Sequence, residues 1–243
     1  MDVFTRATSR HLPPVLDVEP GIRVHHVAAG PFDGLTKNDL PAQLCSFVRD
    51  VMRVDVENGP GYFDLIHSPY WLSGQVGTVL RERWGVPLVH SMHTMAKVKN
   101  AALAEGDSPE PMGRVWGEEE IVRHADWLVA NTDEERRELL ELYGADPSRV
   151  DVVHPGVDLD VFSARDREAA RDRLGVDRET PLIVFAGRIQ PLKAPDLVLK
   201  AAALLRQRHG IPAEVAVIGG ASGSGLERPT ELQDLARDLG IVD

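Results

Sequence analysis

Short apolar runs and amphipathic stripes alternate along this chain, and their spacing predicts its architecture. IRVHHVAAG (residues 22–30) alternates like a strand, and FDLIH (63–67), VPLVHSMH (86–93), WLVAN (127–131) and RVDVV (149–153) read as further strands. Between them, LPAQLCSFVRDVMRV places Leu40, Leu44, Phe47, Val48 and Val51 on one helical stripe. A helix is predicted from near Trp71 to Gly85. Another covers RVWGEEEIVRHA, and a third runs through DEERRELLELY, capped by Thr132 or Asp133 with Gly144 behind it. Strands and helices alternating at this spacing predict an α/β fold with parallel sheets and right-handed crossovers.

The pattern breaks at residues 158–180, which are polar and read as helix-forming, and then restarts. PLIVFAG, DLVLKAAALLRQRHG, AEVAVIGG and ERPTELQDLARDLG form a fresh strand and helix series. Two Rossmann-like domains are therefore expected, 1–163 and 164–243. The first opens with one short strand and the second stops after two, so the chain reads as an internal piece of a longer protein.

The second series begins with a stretch that carries chemistry. Leu182 to Phe185 read as a strand buried on both faces, Gly187 as a tight turn, and Pro195 as the first turn of a helix. Arg188 and Lys193 are thereby delivered to the carboxyl edge of a parallel sheet, where open α/β folds bind ligands. A forked guanidinium and a mobile ammonium suit a diphosphate; singly, either would read as a solvated surface charge. In the first domain, His93, Thr94 and Lys97 follow a strand, and Lys37 and Arg114 stand where helices begin, an unusual place for cations because the dipole there favours anions. With helix N–H groups nearby they would suit a phosphate monoester. Tyr70 reads equally as a packing residue, and Arg114 as the partner of Glu118 one turn on. The glycines of IGGASGSGLERP, Gly219 and Gly220 among them, could approach a diphosphate closely.

Bulk properties narrow the classes further. Lys plus Arg number 27 against 38 Asp plus Glu, a net charge of −11 that argues against a nucleic-acid partner. The single cysteine, Cys45, excludes an intramolecular disulfide and reads as a buried helical thiol. His67, His90 and His93 match no metal-ligand spacing. No apolar run approaches the roughly 20 residues that span a bilayer, and the start lacks a signal-peptide layout, so no membrane association and a cytoplasmic location are expected.

Taken together, YWLSGQVG, HTMAKVKNAAL, PGVDLDVF, GRIQPLKAPD and GGASGSGLERP, in this order, resemble the retaining GT-B glycosyltransferases of family 4 over nearly the whole length. HTMAKVKN and SGSGLERP are similar to the branch that moves N-acetylglucosamine from UDP-N-acetylglucosamine to 1D-myo-inositol 3-phosphate, the first step of mycothiol biosynthesis. The resemblance implies that Lys37, Tyr70, Thr94 and Arg114 bind the inositol phosphate. It implies that His93 lies beside the donor sugar, and that Arg188 and Lys193, with Gly219 and Gly220, bind the UDP diphosphate. It further implies no cofactor for catalysis, any Mg²⁺ site lying outside this chain, and a homodimer at full length. The family's N-terminal glycine-rich loop and its E-x7-E element are absent, so the chain by itself is expected to bind UDP poorly and turn over little. The competing readings are a family 4 enzyme with another acceptor, a non-catalytic nucleotide-sugar-binding module and, third, a hydride-transferring Rossmann enzyme, for which no dinucleotide fingerprint follows any strand.

Overall fold

A computed structural model describes residues 1–103, 107–221 and 230–241. The chain divides into two compact units, the first Met1–Asn100 with Glu110–Pro155, the second Ala101–Pro109 with Gly156–Asp243.

The first unit opens with β1 (Asp2–Arg6), β2 (Val15–Glu19) and β3 (Ile22–Val27) in the order β1-β3-β2. β1 runs parallel to β3, but β2 runs antiparallel to it, a strand the apolar pattern did not reveal. The reason is that all five residues of β2 are exposed, so burial imposes no alternation on them. α1 (Leu44–Asn58), β4 (Ile66–Pro69), α2 (Tyr70–Trp84), β5 (Leu88–Ser91), α3 (Ala96–Ala101), α4 (Met112–His124), β6 (Trp127–Ala130), α5 (Asp133–Tyr143) and β7 (Val150–Val152) follow. Strands β4-β5-β6-β7 form an all-parallel sheet in that order.

Local chemistry sets the helix ends. The Thr132 hydroxyl accepts the Glu135 amide at 3.1 Å to cap α5, whose first turn carries three acidic residues, and Gly144 closes it in the left-handed conformation. Gly85 ends α2 in the same way. Leu88, Leu128 and Leu139 are fully buried in the core of the parallel sheet, each contributing about 1.5–3 kcal/mol of transfer free energy. Val51 of the predicted stripe lies in a second core under α1, with Leu44, Phe47 and Val48 packed against it. Cys45, expected buried, is exposed, because it stands one residue round the helix from the inward-facing Leu44. Asp126 joins the ends of α2 and β5, accepting from Arg81 Nε at 2.6 Å, Arg81 Nη2 at 2.7 Å and the Leu88 amide at 2.8 Å.

The second unit holds α6 (Arg167–Leu174), β8 (Leu182–Ala186), α7 (Pro195–His209), β9 (Glu214–Ile218) and α8 (Glu231–Asp238). Only residues 167–174 of the polar stretch 158–180 are helical, because Asp166 caps the helix at Ala169 and Gly175 ends it. β8 and β9 pair in parallel as a two-stranded sheet. β8 is not buried on both faces: Val184 and Ala186 are exposed while Ile183 and Phe185 are half-buried, since this sheet is covered on one side only. Among the described residues no helix is long and apolar enough to cross a membrane.

Candidate functional site

Four sequence-predicted residues of the first unit, Lys37, Tyr70, Thr94 and Arg114, fall into one cluster, while Arg188, Gly219 and Gly220 of the second unit meet beyond the ends of β8 and β9. In the first, Arg114 is the hub. It is the third residue of α4, and its side chain is only 3% exposed. Its Nε donates to Glu118 Oε1 at 2.7 Å, while Nη2 donates to the carbonyl of Thr94 at 3.1 Å and to its hydroxyl at 3.0 Å. Its Nη1 lies 3.1 Å from Glu110 Oε2. The guanidinium stacks over the Tyr70 ring, 5.1 Å from its centroid. Pairing of Arg114 with Glu118 is thus present, and it coexists with contacts to Thr94 and Tyr70.

Lys37 completes the group through Glu110, whose Oε1 accepts its Nζ at 3.1 Å. Lys37 does not begin α1: it sits in a turn ahead of the short 3-10 segment Leu40–Gln43, seven residues before that helix. The turn is held by Asp39, which accepts from the Thr36 amide at 2.8 Å and hydroxyl at 2.7 Å. Lys37, Tyr70, Thr94 and Arg114 are accordingly linked into one network.

Three members were not legible in the sequence. Lys99, on α3, also donates to Glu110 Oε1. Glu110 is held by Asn100, which accepts its amide at 2.7 Å and donates to its carbonyl at 3.3 Å. Burial pushes the Glu110 carboxyl up, but Lys99 and Lys37 outweigh that and hold it down at about 2, so it is ionised at any working pH. Tyr143 donates to Glu118 Oε2 at 2.5 Å, and burial together with that carboxylate pushes its phenol up. The Glu118 oxygen also accepts the Ala96 amide at 2.8 Å, satisfying one orphan donor at the start of α3. A carboxylate four residues before Arg114, matched by a second four residues after it, was the available signal. Lys97, expected at the crevice, instead serves packing, donating to the Leu142 carbonyl at 2.6 Å and pairing with Glu119 at 2.7 Å.

His93 is exposed, and its Nδ1 accepts from the Asn131 side-chain amide at 3.2 Å, which leaves the proton of a neutral ring on Nε2. His67 pairs with Ser91, and buried His90 with Ser68, each held in its own hydrogen bond. Burial holds His90 down at about 3, with His67 and His93 adding to the effect, so it is a neutral core residue. Among the described residues no group of three or more His, Cys, Asp or Glu is arranged to hold a metal ion.

In the second unit, Arg188 and Lys193 are both exposed, and among the described residues neither side chain has an internal hydrogen-bond or ion-pair partner. They flank the loop from β8 to α7. Backbone pairing continues past both strand ends, with the Gly187 amide on the Ile218 carbonyl and the Ile189 amide on the Gly220 carbonyl, each at 2.9 Å. Arg188 is fixed between those two bonds. Gly219 has a packing reason for its identity, since a Cβ there would lie 1.8 Å from the Gly187 carbonyl oxygen, whereas nothing lies within 4 Å of one at Gly220. Residues 222–229, the SGSGLERP string, lie outside the described residues.

Among the described residues, three that are not glycine have positive φ: Tyr70 (69°), His93 (58°) and Ala194 (49°). Two are candidate ligands themselves, and the third follows Lys193.

Residues 1–156 match the family profile described as a glycosyl transferase 4-like domain, and residues 166–243 that of glycosyl transferases group 1. The chain is 58% identical over 246 residues to D-inositol 3-phosphate glycosyltransferase 2 of Catenulispora acidiphila, covering 100% of this chain and 58% of that protein. It is 57% identical over 244 residues to D-inositol 3-phosphate glycosyltransferase of a Nocardioides species, covering 99% of this chain and 53% of the relative. The chain thus spans a little over half the length of these curated relatives. Among solved structures, sucrose-phosphate synthase of Thermosynechococcus elongatus superposes with a TM-score of 0.84 at 25% identity, covering 99% of this chain and 58% of that one. Anabaena HepE, solved in complex with UDP and glucose, gives 0.67 at 20% identity over 90% of this chain and 54% of its own. The fold is α/β of the GT-B class.

Proposed function

We propose, for a chain that belongs to the glycosyl transferase 4-like family, that it is the greater part of a retaining transferase moving N-acetylglucosamine from UDP-N-acetylglucosamine to 1D-myo-inositol 3-phosphate, the first step of mycothiol biosynthesis. The observation that carries the acceptor side is the network on Arg114, which draws Lys37, Tyr70 and Thr94 together beside a buried carboxylate. Lysine and arginine supply charge for a phosphate monoester, and hydroxyls of threonine and tyrosine supply donors and acceptors for a polyol. The names of the relatives support the same acceptor.

On the donor side the proposal rests on Arg188 and Lys193, cations that no internal carboxylate engages among the described residues. Breaking the bond between sugar and phosphate builds negative charge on the departing diphosphate. Arg188 and Lys193 would stabilise that charge more than the ground state, which is the condition for raising the rate. In this reading they are the counter-charge, and no metal or cofactor within the chain is called upon. His93, with Nε2 protonated, would donate a hydrogen bond to the transferred sugar. The protein is read as acting in the cytoplasm as a homodimer.

Titration calorimetry with 1D-myo-inositol 3-phosphate and with myo-inositol tests the acceptor reading. Lys37→Gln, chosen because that side chain is 64% exposed, should weaken the phosphorylated ligand at least tenfold and leave the unphosphorylated one unchanged. Equal affinity of wild type and variant would remove the inositol phosphate from the reading and leave a family 4 transferase with another acceptor.

A further inference from the structure

The acceptor reading has no use for Glu110, yet among the described residues no carboxylate of the first unit is held by more cations. Its side chain is 6% exposed. Oε1 accepts from Lys37 at 3.1 Å and from Lys99, while Oε2 lies 3.1 Å from Arg114 Nη1. The carboxylate is aimed, not drifting: Asn100 holds both its amide and its carbonyl, and Pro111 follows directly as the N-cap of α4.

Two lysines and an arginine around two acceptor oxygens is the arrangement that a phosphate monoester calls for. The charges sharpen the point. Three cations face Glu110 and Glu118, so the cluster carries one net positive charge with Glu110 in place and two without it. A phosphate monoester near pH 7 carries about −1.5 to −2, so the cluster balances that ligand only when Glu110 has left the lysines. Phosphate and carboxylate oxygens within about 3 Å of the same ammonium would repel each other strongly in a partly buried site. The lysines have room to exchange partners, with Lys37 64% and Lys99 33% exposed, whereas Arg114 is fixed by Glu118 and Thr94.

We propose that Glu110 is an internal stand-in for the acceptor's phosphate: it keeps Lys37, Lys99 and Arg114 assembled, is displaced from the two lysines when a phosphate monoester binds, and so makes Lys99 a further phosphate ligand. The identity of the acceptor rests on the functional reading above; the anion exchange itself does not. An uncharged polyol cannot displace the carboxylate, so Glu110 adds discrimination against unphosphorylated acceptors by leaving them a site whose cations are already engaged.

The test is titration calorimetry of the 243-residue chain with inorganic phosphate, 1D-myo-inositol 3-phosphate and myo-inositol, in wild type, Glu110→Gln and Lys99→Gln. The expected result is that E110Q tightens both phosphate ligands about tenfold and K99Q weakens both about tenfold, with myo-inositol unmoved by either. Unchanged or weaker phosphate binding by E110Q, or unchanged binding by K99Q, overturns the proposal. So does a failure of inorganic phosphate to bind either wild type or E110Q. Should E110Q lack a cooperative thermal transition, Glu110→Asp carries the same test with a smaller gain, since it keeps the charge but retracts it by one methylene. The two readings fail separately. If E110Q tightens inorganic phosphate but inositol 3-phosphate binds no better than phosphate alone, the exchange stands and the inositol acceptor falls. If inositol 3-phosphate binds in a Lys37-dependent manner that E110Q does not tighten, the acceptor stands and the exchange falls.

Discussion

Replacing Glu118 by glutamine removes one charge from a completely buried site and isolates what holds the first cluster together. The Glu118 side chain is 0% exposed and accepts from three donors: Arg114 Nε at 2.7 Å, the Ala96 amide at 2.8 Å and the Tyr143 hydroxyl at 2.5 Å. Glutamine keeps one of the two oxygens, and its amide nitrogen must face a group that itself donates. Arg114, 3% exposed, is left with Glu110 as its remaining counter-charge. Removing one partner of a buried pair costs about 3–5 kcal/mol, and the retained oxygen places this case at the lower end, about 3 kcal/mol. All four tryptophans, Trp71, Trp84, Trp116 and Trp127, lie in the first unit, so fluorescence during urea unfolding reports that unit alone. With a urea dependence of about 2 kcal/mol per molar, the midpoint should fall by about 1.5 M. The neighbouring Glu119→Gln, which breaks only the part-exposed pair with Lys97, should cost about 1 kcal/mol or less. A midpoint shift for E118Q no larger than that of E119Q would refute the view that Glu118 anchors Arg114.

Three other outcomes follow from the same contacts. The Asp126 carboxyl is held down at about 2 by its hydrogen bonds from Arg81, against partial burial and with help from the Leu88 amide. A lowered folded-state pKa gives stability that is present above the ordinary value of 3.8 and lost as pH falls toward 2. Asp126→Asn, at a carboxylate 37% exposed, should therefore cost about 1 kcal/mol at pH 7, and urea titrations should show that gap closing between pH 4 and 2; a constant gap would contradict the assignment. Gly219→Ala should abolish hydrogen-exchange protection of the Ile189 amide, because its Cβ would meet the Gly187 carbonyl oxygen at 1.8 Å, while Gly220→Ala should leave that protection intact. Arg188→Gln and Lys193→Gln should each weaken UDP binding by about tenfold or more in the full-length protein; since neither side chain holds an internal partner among the described residues, unfolding of the second unit should not change, and an effect on stability instead of UDP would move both residues out of the donor site.

What could be read from the sequence was what local chemistry decides. Thr132 and Gly144 bounded α5, Gly85 ended α2, and Pro195 opened α7, because caps and left-handed termini are properties of a few adjacent residues. Elements whose form depends on distant partners were not legible. β2 exists because β3 offers it an edge, and its five exposed residues carry no period. Lys97 and Lys99 sit two apart on one short helix. Which of them reaches the candidate site is settled by Tyr143, Leu142 and Glu119 on one side and Glu110 on the other, residues far along the chain. Glu110 lies in the polar string EGDSPEPMG, which carries no period, and only its burial among three cations gives it meaning.

The backbone supplies a line of argument independent of any resemblance. Left-handed φ costs a non-glycine residue about 1–2 kcal/mol, and glycine at Tyr70, His93 or Ala194 would relieve it. Tyr70 and His93 together cost the first unit about 2–4 kcal/mol, a sizeable share of a domain's net stability of about 5–15 kcal/mol, so the strain must be offset by what it positions. In the first unit the offset is the Arg114 network: Tyr70 turns sharply from β4 into α2 and brings its ring beneath the guanidinium, and His93 turns the chain so that both the carbonyl and the hydroxyl of Thr94 meet Nη2. At Ala194 the offset is local, its amide donating to the Pro191 carbonyl at 2.8 Å and its own carbonyl accepting from Leu197 at 3.1 Å as α7 begins. The side chain beside that strained residue is Lys193, which has no internal hydrogen-bond or ion-pair partner among the described residues. Strained backbone clusters at binding sites, and its place beside an exposed cation supports the proposed donor role of Lys193.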